Sequence, residues 1–193
     1  MIKKLNITLL FISIMSFTEL HAQYDRILLS GNCNIEGSTI LSNYMSETSK
    51  IIIGFENKTE NDILFSKYPI IFLCGEVYLK LSEIEIQELK KAILNGSFLL
   101  IDNYKSDYTL SIFLKKLLPE YPEKNNSIAQ ILESNPYRIN FDELQFDCKQ
   151  VFIEENLRVL AMKEINILEG IISENDNYLK LGSSLIFNYL TGN

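Results

Sequence analysis

The stretch "YPIIFLCGEVYLKLSEIEIQELKKAILNGSFLLID", residues 68–102, decides the fold. Its first part, "YPIIFLCG", is apolar without alternation, which is the pattern of a strand covered on both faces in a parallel sheet. The segment that follows carries several agreeing helix signals. Ser82 and Glu85 are spaced as a capping box, and Leu81 and Ile86 as its hydrophobic staple. Ile86, Leu89 and Ile93 share one face, Lys90 and Lys91 sit toward the negative C-terminal end, and Gly96 suits a left-handed stop. A helix is predicted over about Glu83–Asn95. "SFLLID" then reads as a second buried strand ending at Asp102. Strand, helix, strand in this order predicts a right-handed βαβ unit on a parallel sheet.

The same rhythm extends to both sides. Upstream, "RILLS" (26–30), closed by Gly31, reads as a first strand. The polar turn "GNCNIEG" leads to "STILSNYMSE", a helix with Ser38 as its expected cap and Leu41, Tyr44 and Met45 on one face. "KIII" before Gly54 is the expected second strand, followed by the polar link "ENKTEND". Downstream, "DYTLSIFLKKLLPEYP" reads as a helix capped by Asp107 and stopped near Pro119. A short helix is expected near Ile128–Leu132. "QVFIEENLRVLAM" reads as two strands about the turn "EEN", an antiparallel hairpin. "NYLKLGSSLIFNYLTG" places Leu181, Leu185 and Tyr189 at helical spacing, with Leu190 beside them. Gly182 inside that helix costs about 1 kcal/mol of propensity and is expected to mark close packing on the sheet. The fold class expected is α/β: a three-layer sandwich with a mainly parallel, flavodoxin-like sheet and an antiparallel C-terminal hairpin.

With 193 residues and 47% apolar composition, the chain suits one domain with one core. Residues 1–22, "MIKKLNITLLFISIMSFTELHA", have the form of a secretory signal peptide: Lys3 and Lys4, an apolar stretch from Leu5 to Phe17, and Ala22 at the end. Leu20 is larger than the residue usual at its place before a cleavage site, so an uncleaved anchoring segment is the alternative. The apolar stretch is short for a membrane span, and no Cys stands at the junction to take a lipid. Residues 23–193 then form a single exported domain, periplasmic or secreted, with no membrane span after cleavage. Loss of Lys3, Lys4 and Glu19 would take the formal charge from -7 to -8. Nucleic acid and anionic lipid are poor partners for such a chain. The single histidine, His21, leaves with the signal. Ser/His/Asp and Cys/His catalysis, and metal sites that need imidazole, are excluded from the remainder. Three cysteines without CxxC spacing argue against zinc as well, and no cofactor is expected.

The order of elements, together with "ILLSGNCN", "YPIIFLCGEVYLKLSEIEIQELKKAILNGSFLLIDN", "LKKLLPEYP" and "GSSLIFNYLTG", resembles the bacterial family known as domain of unknown function 4159 over residues 24–192. The resemblance implies a fold similar to class I glutamine amidotransferases. It also implies another envelope protein as partner, since members are often encoded beside membrane-anchored von Willebrand A-type proteins. Members carry a Gly-rich turn with Asp and Trp after the first strand and a Gly-His-Gly turn after the strand that ends here at Leu73. This chain has Gly31, Asn32, Cys33 and Asn34 at the first turn and Gly75, Glu76 and Val77 at the second, so roles of the family's His, Asp or Trp do not transfer. Glutaminase chemistry would need a Cys in a sharp strand-to-helix elbow and a His base. Cys74 leads instead into "GEVYLKL", and glutaminase activity is not expected.

In open α/β sheets, ligands collect beyond the carboxyl ends of the strands, where strand order reverses. With the first strand beside the third and the fourth beyond it, the loops carrying Cys33, Asn34, Cys74, Glu76, Asp102 and Tyr104 converge on one rim. That rim suits a small polar ligand or a cation. Glu76 and Asp102 are the candidate catalytic pair, one held protonated by burial and one ionised, against the simpler reading of solvated loop ends. Asp102 also suits a turn cap. For Cys33 and Cys74 two readings stand: a disulfide, as an oxidising compartment allows, or two small half-buried thiols. Cys148 has no assigned partner. The function expected is non-catalytic binding or assembly in the bacterial envelope. The alternative is a His-independent hydrolase of a small or carbohydrate-like substrate using Glu76 and Asp102.

Overall fold

The structure, a computed structural model, describes residues 25–58, 64–126, 132, 137, 139, 147–173 and 175–191. It is an α/β fold in which a seven-stranded mixed sheet carries helices on both faces. The strands are β1 (Asp25–Gly31), β2 (Ile53–Asn57), β3 (Ile70–Cys74), β4 (Phe98–Tyr104), β5 (Lys124–Asn126), β6 (Cys148–Ile153) and β7 (Asn156–Lys163). The helices are α1 (Ile35–Ser49), α2 (Glu83–Leu94), α3 (Asp107–Leu117), α4 (Ile167–Ile172) and α5 (Asp176–Thr191), and a 3₁₀ segment, Gly75–Lys80, continues directly from β3. Across the sheet the order is β2-β1-β3-β4-β7-β6-β5. Neighbours from β2 to β7 pair in parallel, whereas β6 runs antiparallel to both β7 and β5.

All five residues of β3 are buried, and they divide by parity. Ile70, Phe72 and Cys74 join Leu41 and Met45 of α1, Ile167, Leu168 and Ile171 of α4, and Leu181, Leu185 and Ile186 of α5. Ile71 and Leu73 join Ile86, Leu89, Ala92 and Ile93 of α2 and Leu110, Phe113, Leu114 and Leu117 of α3. Period-2 strands between period-3.6 helices thus fill two cores, one on each side of the sheet.

Local chemistry explains most boundaries. At α2, the Ser82 hydroxyl accepts from the Glu85 N–H while the Glu85 carboxylate accepts from the Ser82 N–H at 2.7 Å. Glu85 also pairs with Lys58 of the segment after β2. Burial opposes its charge, yet Lys58 and Ser82 hold its carboxyl down at about 2. Gly96, at φ +113, supplies the left-handed stop after the Asn95 cap. The β6–β7 hairpin turns through Glu154 and Glu155, both at positive φ, with Ile153 opposite Asn156. That is the geometry of a two-residue hairpin loop whose twist matches its strands.

Several expectations are corrected. Helix α1 begins at Ile35, and its cap is Asn34 rather than Ser38: Asn34 Oδ1 accepts from the Glu36 and Gly37 N–H groups. Ser38 instead donates to the Ile35 carbonyl inside the first turn. Helix α3 is capped by Ser106, whose hydroxyl accepts from Thr109, and Asp107 is its first residue. Strand β2 starts at Ile53, where "KIII" ends, because Lys50 takes the left-handed cap of α1 and pairing with β1 begins only at Ile53 opposite Asp25. Gly182 faces helices rather than the sheet: a Cβ there would lie 3.1 Å from both Ile167 and Leu41. The helix expected near Ile128–Leu132 lies, apart from its last residue, outside the described residues.

Replacing Ser82 with Ala removes the hydroxyl half of the capping box. It is expected to lower the unfolding free energy by about 1 kcal/mol, measured as a shift of the urea midpoint at unchanged slope.

Candidate functional site

Gly31 lies opposite Cys74 in the β1–β3 pairing, and Cys74 lies opposite Asp102 in the β3–β4 pairing. Three carboxyl ends are therefore level, at the place where strand order reverses between β1 and β3. A cleft of about 390 Å³ opens there, within the size range of small-molecule sites. The end of β1 contributes Gly31 and Asn32, and the 3₁₀ segment after β3 contributes Gly75, Glu76, Val77 and Lys80. Cys74, Asn103 of β4 and Asn166 from the turn before α4 complete the lining.

Backbone constraint shapes the near wall. Gly31 sits at φ +100, and a Cβ on it would lie 2.6 Å from the Cys74 carbonyl oxygen and 3.0 Å from Val77 Cβ. Only glycine permits that approach of β1 to the segment after β3. The contact is tied covalently: Cys33 and Cys74 form a disulfide with Cα atoms 5.2 Å apart. Of the two readings open for these cysteines, the structure holds the bonded one. Cys148 is buried outside this disulfide, and its Sγ accepts from the Gln150 side chain at 3.4 Å.

Asp102 underlies the cleft without lining it. Its side chain is 0% exposed. Oδ1 accepts from the Gly75 N–H at 3.1 Å, and the Ile167 N–H at the start of α4 lies near enough to favour the ionised carboxyl. Oδ2 has no hydrogen-bond partner among the described residues. Burial raises the carboxyl to about 7, against the lowering effect of the Gly75 and Ile167 N–H groups. Asp102 thus holds the turn after β3 and sits beside the start of α4.

A bulge directly beyond it aims the next residues. Ile101 and Tyr104 are three apart yet pack in the same core, because the β4–β7 register shifts between them and Asn103 turns at φ +52. Asn103 thereby lines the cleft, and its N–H donates to the Ile165 carbonyl at 2.6 Å. Tyr104 is buried on the opposite side of the sheet and donates to Asp107 at 3.1 Å.

Of the rim residues expected from sequence, Cys74 and Glu76 line the cleft. Cys33 reaches the rim through its disulfide. Asn34 caps α1 and donates from its amide to Glu169 of α4 at 2.9 Å, and Asp102 and Tyr104 are committed to interior contacts. Sequence reasoning missed Asn32, Lys80, Asn103 and Asn166 as lining residues. For Asn103 and Asn166 a signal existed: one lies near the end of a buried strand and the other shortly after one, and Asn tolerates the left-handed and capping geometries found at such ends. Among the described residues, no three His, Cys, Asp or Glu side chains gather as a metal site, and no helix is long and apolar enough to cross a membrane.

Two outcomes are expected. Replacing Cys33 and Cys74 together with Ala releases a cross-link of sequence separation 41. The loss, read from urea unfolding without reductant, should be about 3–4 kcal/mol. For Asp102 the folded state holds the proton more tightly than the unfolded chain. Its destabilising charge is fully present above about pH 7 and is relieved as pH falls toward the ordinary carboxylate range. The Tm of Asp102→Asn relative to the parent should therefore climb as pH is raised from 5 to 8; a flat difference would contradict the buried, proton-holding carboxyl.

No family model, curated protein or solved structure matches this chain, so the chemistry of the cleft is read from its own residues.

Proposed function

We propose that this is an exported, non-catalytic binding domain of the bacterial envelope, whose ligand site is the cleft between the ends of β1, β3 and β4. The observation that carries the reading is the composition of that cleft. It combines three amide side chains with Glu76 and Lys80 over about 390 Å³, a set suited to hydrogen-bonding a small polar molecule. It lies at the strand-order reversal where such folds take their ligands. Export is supported by the form of residues 1–22 and by the Cys33–Cys74 disulfide, a bond kept in oxidising compartments. The order β2-β1-β3-β4 supports a flavodoxin-like or amidotransferase-like sheet, and with it kinship to domain of unknown function 4159. A protein partner in the envelope belongs to the same proposal.

Against catalysis stands the lack of any histidine after His21. The hydrolase alternative has one point in its favour: burial raises Asp102 to about 7, as a general acid requires. It has a stronger point against it, because the Asp102 side chain is fully buried and absent from the cleft lining. A group without reach to the substrate cannot transfer its proton.

The test is a titration of the isotopically labelled chain with a panel of small polar metabolites, followed by amide chemical shifts. The expected result is a cluster of changes at Asn32, Gly75, Asn103 and Asn166 with saturable dependence and no turnover of the compound. Consumption of a panel compound, lost in Glu76→Gln, would move the assignment to the hydrolase. Silence at the cleft throughout the panel would overturn the site.

A further inference from the structure

We propose that Asp102 makes the near wall of the cleft a proton-controlled gate: while its carboxyl holds a proton the turn Gly75–Val77 stays closed over it, and ionisation draws that turn open to water. The inference rests on the binding reading above for its consequence, control of that site, and its test needs no ligand.

The moving part is defined by its neighbours. Gly75, Glu76 and Val77 line the cleft, and they are strung between two fixed points. On one side Cys74 is held by its disulfide to Cys33. On the other, the Tyr78 ring is buried, lies 5.1 Å from Phe113 and meets Thr109 Oγ1 at 3.5 Å. Between these anchors the backbone can hinge. Gly75 sits at φ +68 with no atom within 4 Å of the place a Cβ would take, and Glu76 departs from the 3₁₀ geometry around it at φ -91 and ψ 26. The side chain that holds this turn down is Asp102, through Oδ1 and the Gly75 N–H. The start of α4 is the stiffer wall, because Gly37 and Gly170 let that helix pack tightly on α1 and Tyr178. Opening therefore falls to the turn.

Asp102 has no counter-charge among the described residues. It follows Leu100 at the strand period and points to the face covered by α1, α4 and α5. The titratable groups on the elements around it are engaged elsewhere or turned to water. Glu76 and Lys80 line the cleft, and Glu36 of α1 and Glu164 before α4 are exposed. Glu169 of α4 accepts from Asn34 at 2.9 Å. Lys163 of β7 pairs with Asp107 of α3, on the opposite side of the sheet, and Cys148 of β6 accepts from Gln150. What acts on the Asp102 proton is burial, opposed by the Gly75 and Ile167 N–H groups, and burial prevails, raising the carboxyl to about 7.

Linkage then fixes the sign. A carboxyl that opening returns to water takes the ordinary value of about 3.9, so the closed turn binds the proton more tightly than the open one. The open fraction must grow with pH by about tenfold per unit between the two values, and it levels off above about 7, where both forms are ionised. The cleft is whole in acid and loses its near wall as pH rises, so a ligand of this site is held in acid and released toward neutral pH.

The deciding experiment is amide hydrogen exchange of the full-length chain, followed by NMR from pH 5 to 8 and corrected for the intrinsic exchange rate. Gly75 protection is expected to fall about tenfold per pH unit up to pH 7 and then to level. It should not change on adding about 1 M urea, since a local opening exposes little surface. In Asp102→Asn, whose amide oxygen can still accept from Gly75, protection should not depend on pH. Protection of Gly75 that is flat with pH in the parent, or a slope that survives in Asp102→Asn, would overturn the gate. So would a slope that steepens in urea together with that of Phe72 inside β3, because exchange would then report unfolding of the whole chain. A gate that responds as expected while small polar molecules leave the cleft silent would remove the binding reading alone.

Discussion

The fold depends on strand β3 being buried on both faces. Its five residues have no solvent-facing side, so each parity needs its own apolar cover and each edge its own partner strand. The sheet meets the first need with α1, α4 and α5 on one face and α2 and α3 on the other. It meets the second with β1 and β4 in parallel register. Parallel pairing has a geometric by-product: the carboxyl ends of all three strands lie at one edge, and the backbone polar groups they expose must be satisfied there or left to a ligand. The position of the cleft follows from the packing of residues that, Cys74 apart, do not line it.

The edge is held by contacts of different kinds. A covalent bond joins the β1–α1 loop to β3, and the Asp102 carboxyl of β4 hydrogen-bonds the turn after β3. Close helix packing fixes α4 itself. Gly37 of α1 lies against the Leu168 backbone, where a Cβ would come within 2.1 Å of the carbonyl oxygen, and a Cβ on Gly170 of α4 would strike the Tyr178 ring at 2.4 Å. Small residues at these positions let three helices approach closely enough to carry Asn166 to the cleft. The cost of the arrangement falls on Asp102, which keeps a carboxyl out of water with one oxygen unpartnered among the described residues.

How much of this could be read from sequence depended on the range of the interactions involved. Helix α2 was legible to within a residue because its box, staple and stop all lie inside the stretch they define. The cap of helix α1 was misplaced by four residues, at Ser38 rather than Asn34, and the residue that does cap it is one whose amide also reaches Glu169 across the fold. Helix α4, six residues long, carries too few turns to show periodicity. Strand β5, "KNN", is polar and short as edge strands tend to be. For the candidate site, the edge was legible from the βαβ rhythm and its occupants only partly. The bulge that sends Asn103 outward and Tyr104 inward arises from pairing with β7, distant in sequence.

The placement of the disulfide also bears on how the chain matures. Cys33 and Cys74 both precede Cys148 in sequence, so if the chain were presented N-terminus first to an oxidant, the native pair would come before the third thiol. That pair lies at the adjoining ends of the paired strands β1 and β3, whereas Cys148 is buried beside β7 in the core shared with the helices above it. In that case the order of the cysteines along the chain favours the pairing found, with no difference in their reactivity required.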